Sequence, residues 1–189
     1  MSPILGITAS QNYVRIPPTA YDSIQTISAG GTASATFTSI PSTYKHLQIR
    51  ALVRGNAAST IDVILMRFNG DSSSSNYVTL HQIYGSGSSV AAQTSTGNGF
   101  IYQSYIAGNS AGANTFSPYI TDILDYTSAN KNKTTRTLAG TDNNGSGYIT
   151  FSSGLWMNSS TAINSINMVL DNAGNFATNT QFALYGIRG

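Results

Sequence analysis

Side chains able to do acid–base or nucleophilic work are few in this chain: two histidines, His46 and His81, and seven aspartates, with no glutamate and no cysteine. Each histidine lies in a segment where polar and apolar residues alternate, and no serine elbow or other nucleophile accompanies it. Surface or cross-strand roles therefore explain both better than a catalytic triad does. Asp122 and Asp125 flank Ile123-Leu124. On an extended strand these two carboxylates point to opposite faces and do not converge on one substrate as a glycosidase pair must. Asp71, after Asn69-Gly70, and Asp142, before Asn143-Asn144-Gly145, bring one carboxylate each where a calcium loop brings several, and turn chemistry accounts for both. Gly85-Ser86-Gly87 precedes neither a helix nor a Lys-Ser/Thr pair, so it is no phosphate loop. The expectation is a non-enzymatic chain without metal or cofactor.

Side chains suited to binding are more plentiful. Lys131, Lys133 and Arg136 cluster around one turn, with Arg50, Arg54 and Arg67 on neighbouring strands, but the net charge is only +2. Such a cluster more often solubilises an edge strand than grips nucleic acid, so no nucleic-acid partner is expected. Aromatic rings flanked by neutral hydrogen-bonding groups invite sugars or a protein partner. Tyr102 and Tyr105 near the Gly-rich stretch, and Trp156 beside Asn158, are the candidate contacts. The competing reading is that they belong to the core or its rim.

The elements that must position these residues are strands. Ser34 to Ile40, Lys45 to Arg54, Ile61 to Phe68, Asn76 to Tyr84, Phe100 to Ile106, Tyr119 to Tyr126, Lys133 to Ala139, Tyr148 to Trp156, Ile163 to Leu170 and Gln181 to Ile187 alternate or run apolar between Gly, Asn and Ser clusters. Their number and spacing predict an all-β sandwich or barrel, with single helical turns allowed near Pro41 to Tyr44 or Ser159 to Ile163. In Lys45 to Arg54, Leu47, Ile49, Ala51 and Val53 share one face while His46, Gln48 and Arg50 share the other. Asn69-Gly70-Asp71 predicts a tight turn. Gly85 to Gly99 reads as the longest low-complexity loop, the place where a β-sandwich usually binds.

Composition narrows the class further. Ser, Thr and Asn together number 65 of 189 residues, while only 8% are charged, so neutral hydroxyls and amides wet the surface. Without cysteine there is no disulfide framework. No apolar run approaches the roughly 18 residues needed to span a bilayer, and the first residues lack the basic start of a signal peptide; no membrane partner is expected. Residues 1–20 read as an extended arm: an apolar tip of Ile4, Leu5 and Ile7, then Arg15-Ile16-Pro17-Pro18, where the prolines disfavour helix and ladder alike. Residues 21–189 read as the sandwich. An arm of this kind needs something to hold it, and a neighbouring subunit is the expected partner.

Several segments together resemble a known class of protein: Ser2-Pro-Ile-Leu-Gly-Ile-Thr-Ala-Ser10, Ile40-Pro-Ser-Thr-Tyr-Lys-His-Leu-Gln-Ile-Arg50, Arg67-Phe-Asn-Gly-Asp71, Asn76-Tyr77 and Leu184-Tyr-Gly-Ile-Arg-Gly189. They are similar to small virion structural proteins of tailed bacteriophages, cyanophages included. The resemblance implies a jelly-roll-like antiparallel sandwich present in copies on the virion. Two positions follow from it. One is a capsid decoration or cement protein, a homotrimer clasping the major capsid protein, on the head surface; the other is a tail or head fibre tip that binds host surface glycan. No coiled-coil heptads precede the sandwich, which favours the first. In that role Ile4, Leu5, Ile7, Arg15 and Ile16 anchor the arm, by strand addition or by filling an apolar groove.

Overall fold

Strands account for nearly all the regular structure of the computed structural model, which describes residues 20–143 and 146–189, apart from the side chain of His81. Among the described residues the only helical element is one 3-10 turn, Ser74–Asn76, and it lies at neither of the two expected places. The described residues form twelve strands: β1 (Tyr21–Ser28), β2 (Ser34–Phe37), β3 (His46–Val53), β4 (Ile61–Phe68), β5 (Tyr77–Ser86), β6 (Ser89–Thr96), β7 (Ile101–Ala107), β8 (Ser117–Leu124), β9 (Lys133–Asp142), β10 (Gly147–Trp156), β11 (Ile166–Leu170) and β12 (Gln181–Ile187). All ladder pairings are antiparallel. The large sheet runs β1-β12-β3-β8-β9-β10-β5-β6 and the small one β2-β11-β4-β7. This is the expected all-β sandwich.

Two strands were not legible in advance. β6 carries Ser89-Val-Ala-Ala-Gln-Thr-Ser-Thr96 and is exposed along almost its whole length, so no apolar alternation announces it. It forms because Gly87 turns the chain at φ 59° and returns it beside β5; strand propensity yields to pairing. The Gly85 to Gly99 stretch is thus a hairpin arm at the sheet's edge. β1 is kinked by a bulge between Ser23 and Gln25, which breaks its alternation. The tight turn at Asn69-Gly70 does form, with both residues at positive φ and the Asp71 N–H donating to the Phe68 carbonyl.

The apolar core fills one part of the space between the sheets. Leu47, Ile49 and Val53 of β3, Phe182 and Leu184 of β12, and Ile64, Met66 and Phe68 of β4 are all essentially enclosed. Under β7 the filling changes character. Gln103, Thr121, Thr137 and Ser152 are buried there, with Thr79, Gln82, Thr135 and Thr150 around them. The Gln103 Oε1 accepts from Tyr119 Oη at 2.8 Å and from Thr137 Oγ1 at 2.6 Å, and its carbonyl accepts from Ser152 Oγ at 2.6 Å. These bonds offset part of the desolvation of the seam, while Gln82 Nε2, Gln103 Nε2, Thr135 Oγ1 and Thr150 Oγ1 stay buried without a hydrogen-bond partner.

Candidate assembly surface

The seam fixes what the other side of the large sheet must carry. Side chains alternate across a strand, so a strand with Thr and Ser inside presents its apolar residues to the outside. In β9, Thr135 and Thr137 are buried while Leu138 is half exposed; in β10, Thr150 and Ser152 are buried while Ile149 and Phe151 are exposed. Hydropathy is inverted in the middle of the sheet. The physical reason lies in the small sheet, whose β7 places Gln103 and Ser104 against β9 and β10 and so requires hydrogen-bonding partners there.

Register assembles these outward residues into rungs. One rung runs Ala183, Arg50, Ile120, Leu138, Phe151, Ile83, Ala92 from β12 to β6. The next runs Gln181, Leu52, Pro118, Gly140, Ile149, Gly85, Val90, where Pro118 meets Gly140 by continuing the β8–β9 register. Beyond the first rung the chemistry turns polar: Tyr185, Gln48, Asp122, Arg136, Ser153. There Gln48 Nε2 donates to Asp122 Oδ1 at 2.7 Å, and Arg50 Nε donates to Gln48 Oε1 at 2.6 Å. The Arg50 guanidinium also lies over the rings of Tyr21 and Tyr185, which draws it to the margin of the belt.

The result is an apolar belt two rungs deep and six strands wide, about 30 Å at the usual spacing of strands. Leu52, Ile83, Val90, Ile120, Leu138, Ile149 and Phe151 are 40–76% exposed within it. With Pro118 they offer about 800 Å² of side-chain surface, more than the largest apolar patch an ordinary monomer shows. A furrow of about 300 Å³ crosses the belt, lined by Pro118, Ile120, Leu138, Ala139, Gly140 and Ile149.

The candidate contacts read from sequence form no single site: Trp156 and Asn158 meet through the Lys133 ammonium, while Tyr102 and Tyr105 keep separate ring partners. Trp156 is enclosed, 1% exposed: its ring packs beside Phe68 and Tyr77, and its Nε1 donates to Asp71 Oδ2 at 2.8 Å. It offers no open face to a sugar, because β10 points it into the core. Asn158 is half-buried and accepts Lys133 Nζ on its carbonyl at 2.8 Å. Tyr102 packs edge-on against Phe100, and Tyr105 against Tyr84 and Tyr148, so the two share no ring partner. Ile4, Leu5, Ile7, Arg15 and Ile16 lie outside the described residues. Tyr84 and Tyr148, missed by sequence reading, gather around Tyr105 only because β5, β7 and β10 converge at one end.

The basic cluster also disperses. β9 is a central strand and not an edge, so Lys133 points inward, fully enclosed, with its ammonium 5.5 Å from the Trp156 ring and its pKa lowered by burial. Lys131 instead pairs with Asp125 at 3.2 Å, which holds that carboxyl below its ordinary range. His46 Nδ1 accepts the Asp125 N–H at 3.0 Å. Burial opposes ionisation of Asp71, but donors from Asn76, Trp156 and the Ser73 N–H outweigh it and keep the carboxyl below the usual value. Those three donors leave Asp71 little capacity for a cation. Among the described residues no group of three or more His, Cys, Asp or Glu side chains is placed to hold a metal. Comparison with known families, curated proteins and solved structures finds no match.

Proposed function

We propose that this chain is a non-enzymatic structural protein of a tailed-phage virion, a decoration or cement protein of the head whose exposed belt is a protein contact surface and whose arm anchors it to the shell. The observation that carries the assembly part is the inverted middle of the large sheet. Threonines and serines are enclosed while Leu138, Ile149 and Phe151 face outward, a pattern that is costly for an isolated monomer and favourable once the face is covered. The virion and the jelly-roll-like arrangement rest on the resemblance of the quoted segments, and the major capsid protein is the proposed partner; the trimer that the resemblance implies is the arrangement that competes with a pair of copies.

Burying the arm's Ile4, Leu5 and Ile7 in that partner would contribute about 5 kcal/mol before ordering costs, multiplied in effect by several copies acting together. Deleting residues 1–16 should leave a folded sandwich that no longer decorates particles. Full occupancy of particles by the truncated protein would rule out the arm as anchor.

A second reading, a fibre tip that binds host glycan, draws support from Tyr84, Tyr105 and Tyr148, whose rings lie 5.2–6.3 Å apart in a half-buried cluster. It expects the purified protein to block adsorption of phage to its host, and Tyr105→Ala to relieve the block. An absence of competition at high protein concentration would count against it.

A further inference from the structure

We infer that the apolar belt is covered by the same belt of a second copy, in a face-to-face pair about a two-fold axis that runs parallel to the strands between β9 and β10. The inference rests on the reading of the belt as a protein contact surface and not on any location in a virion.

Three observations carry it. The first is area: about 800 Å² from each copy is the share that one partner brings to a standard protein interface. The second is self-complementarity. An axis between β9 and β10 exchanges β9 with β10, β8 with β5 and β3 with β6. In the rung nearest the furrow it sets Ile149 of one copy over Gly140 of the other, Pro118 over Gly85, and Leu52 over Val90. Each glycine gap meets a bulky residue, as interdigitating sheet faces require. In the neighbouring rung the same operation sets Leu138 against Phe151 and Ile120 against Ile83. The third is charge. Arg50 is the sole ionic side chain in these two rungs and falls opposite Ala92, while Arg136 in the polar rung falls opposite Ser153. No like charges are brought together, so nothing in the face repels its own copy. A partner selected by charge would find almost none in the belt to recognise.

Gly140 supplies the sharpest test, because its role in this account lies between copies. A Cβ placed there meets only the Tyr148 carbonyl oxygen, at an ordinary 3.8 Å, so the single chain tolerates a side chain at this position. Sedimentation velocity and light scattering of the full chain at micromolar concentration should give twice the 19.9 kDa chain mass. Gly140→Leu and Phe151→Lys should each weaken pairing at least about a hundredfold, while unfolding as cooperatively as the parent. Thr134→Lys, on the same face but outside the belt, should stay paired, as should a chain lacking residues 1–19. A monomer at every concentration overturns the inference. So does a three-chain mass, pairing that survives both belt substitutions in folded protein, or loss of pairing on removing residues 1–19, which would make the arm the cover. A pair in solution from a protein missing from purified particles would leave this inference standing and contradict the virion reading.

Discussion

Arg54 illustrates how far a single side chain can reach in a protein with so few charges. It is 8% exposed, and its guanidinium donates to four backbone carbonyls: Gly112 at 2.7 Å and Thr115 at 3.1 Å from Nη1, Asn109 at 3.1 Å and Ala111 at 3.2 Å from Nη2. The rigid fork thereby organises the irregular connection between β7 and β8. Arg54→Ala removes the donor to all four carbonyls, of which Gly112 keeps the Thr115 N–H, and should cost about 3 kcal/mol; Arg54→Lys, with a single ammonium, should recover less than half. Denaturant titration measures the loss, and limited proteolysis should place new cleavage within residues 108–116. Asp62 makes the opposite case. It is 1% exposed and burial raises its pKa, against the Val63 N–H and Asn172 amide that favour the ionised form; Oδ2 has no hydrogen-bond partner. Since the folded state holds this proton more tightly than the unfolded one, Asp62 contributes most to stability below about pH 4 and that contribution is lost as pH rises through its raised value. Asp62→Asn should remove this part of the decline, so that the variant gains on the parent when the pH is raised from about 4 to about 7. Unfolding curves at both pH values would refute the assignment if the variant lost ground instead.

At the scale of elements, the closing segment shows what a sequence can hide in plain residues. Gly186 lies on the inward face of β12, and a Cβ there would sit 2.3 Å from ring atoms of Tyr44. The ring lies flat on the bare backbone, the Arg188 guanidinium stacks near it at 5.6 Å, and Tyr126 Oη accepts the Tyr44 N–H while donating to the Pro41 carbonyl. Gly186→Val should therefore destabilise by about 2–3 kcal/mol through overpacking, and a Tyr44→Ala, Gly186→Val double variant should lose less than the sum of the two single changes. Ten of the twelve strands were legible because some, such as β3, alternate as a half-buried sheet should and others, such as β4, run apolar on both faces between turn clusters. The inversion was not. Alternation of Thr with Leu or Phe in β9 and β10 gives a period of two but not its sign, and the usual assumption that apolar residues face inward assigns both strands backwards. Only the buried Gln103 on β7, a contact distant in sequence, decides the sign. Trp156 was misplaced for a related reason: proximity to Asn158 in the chain says nothing about which face of β10 it occupies.

For the whole molecule, scarcity of charge and inversion of the large sheet point the same way. With 8% charged residues, a broad face can be desolvated at little electrostatic cost, while Ser, Thr and Asn keep the remaining surface wet. The belt follows from register, so substitutions at single defined positions test the pairing. The chain contains no cysteine, which makes engineered thiols unambiguous reporters. Gly140→Cys and Ile149→Cys chains, prepared separately, mixed and treated with a short bis-maleimide, should be linked between copies, because the two-fold axis sets these positions face to face across sheets about 10 Å apart, beyond the reach of a direct disulfide. Gly140→Cys mixed with Val90→Cys, in the same rung but set two strands apart across the interface by the axis, should cross-link far less. Equal cross-linking by both mixtures, or none at Gly140 and Ile149, would contradict the pairing of belt upon belt.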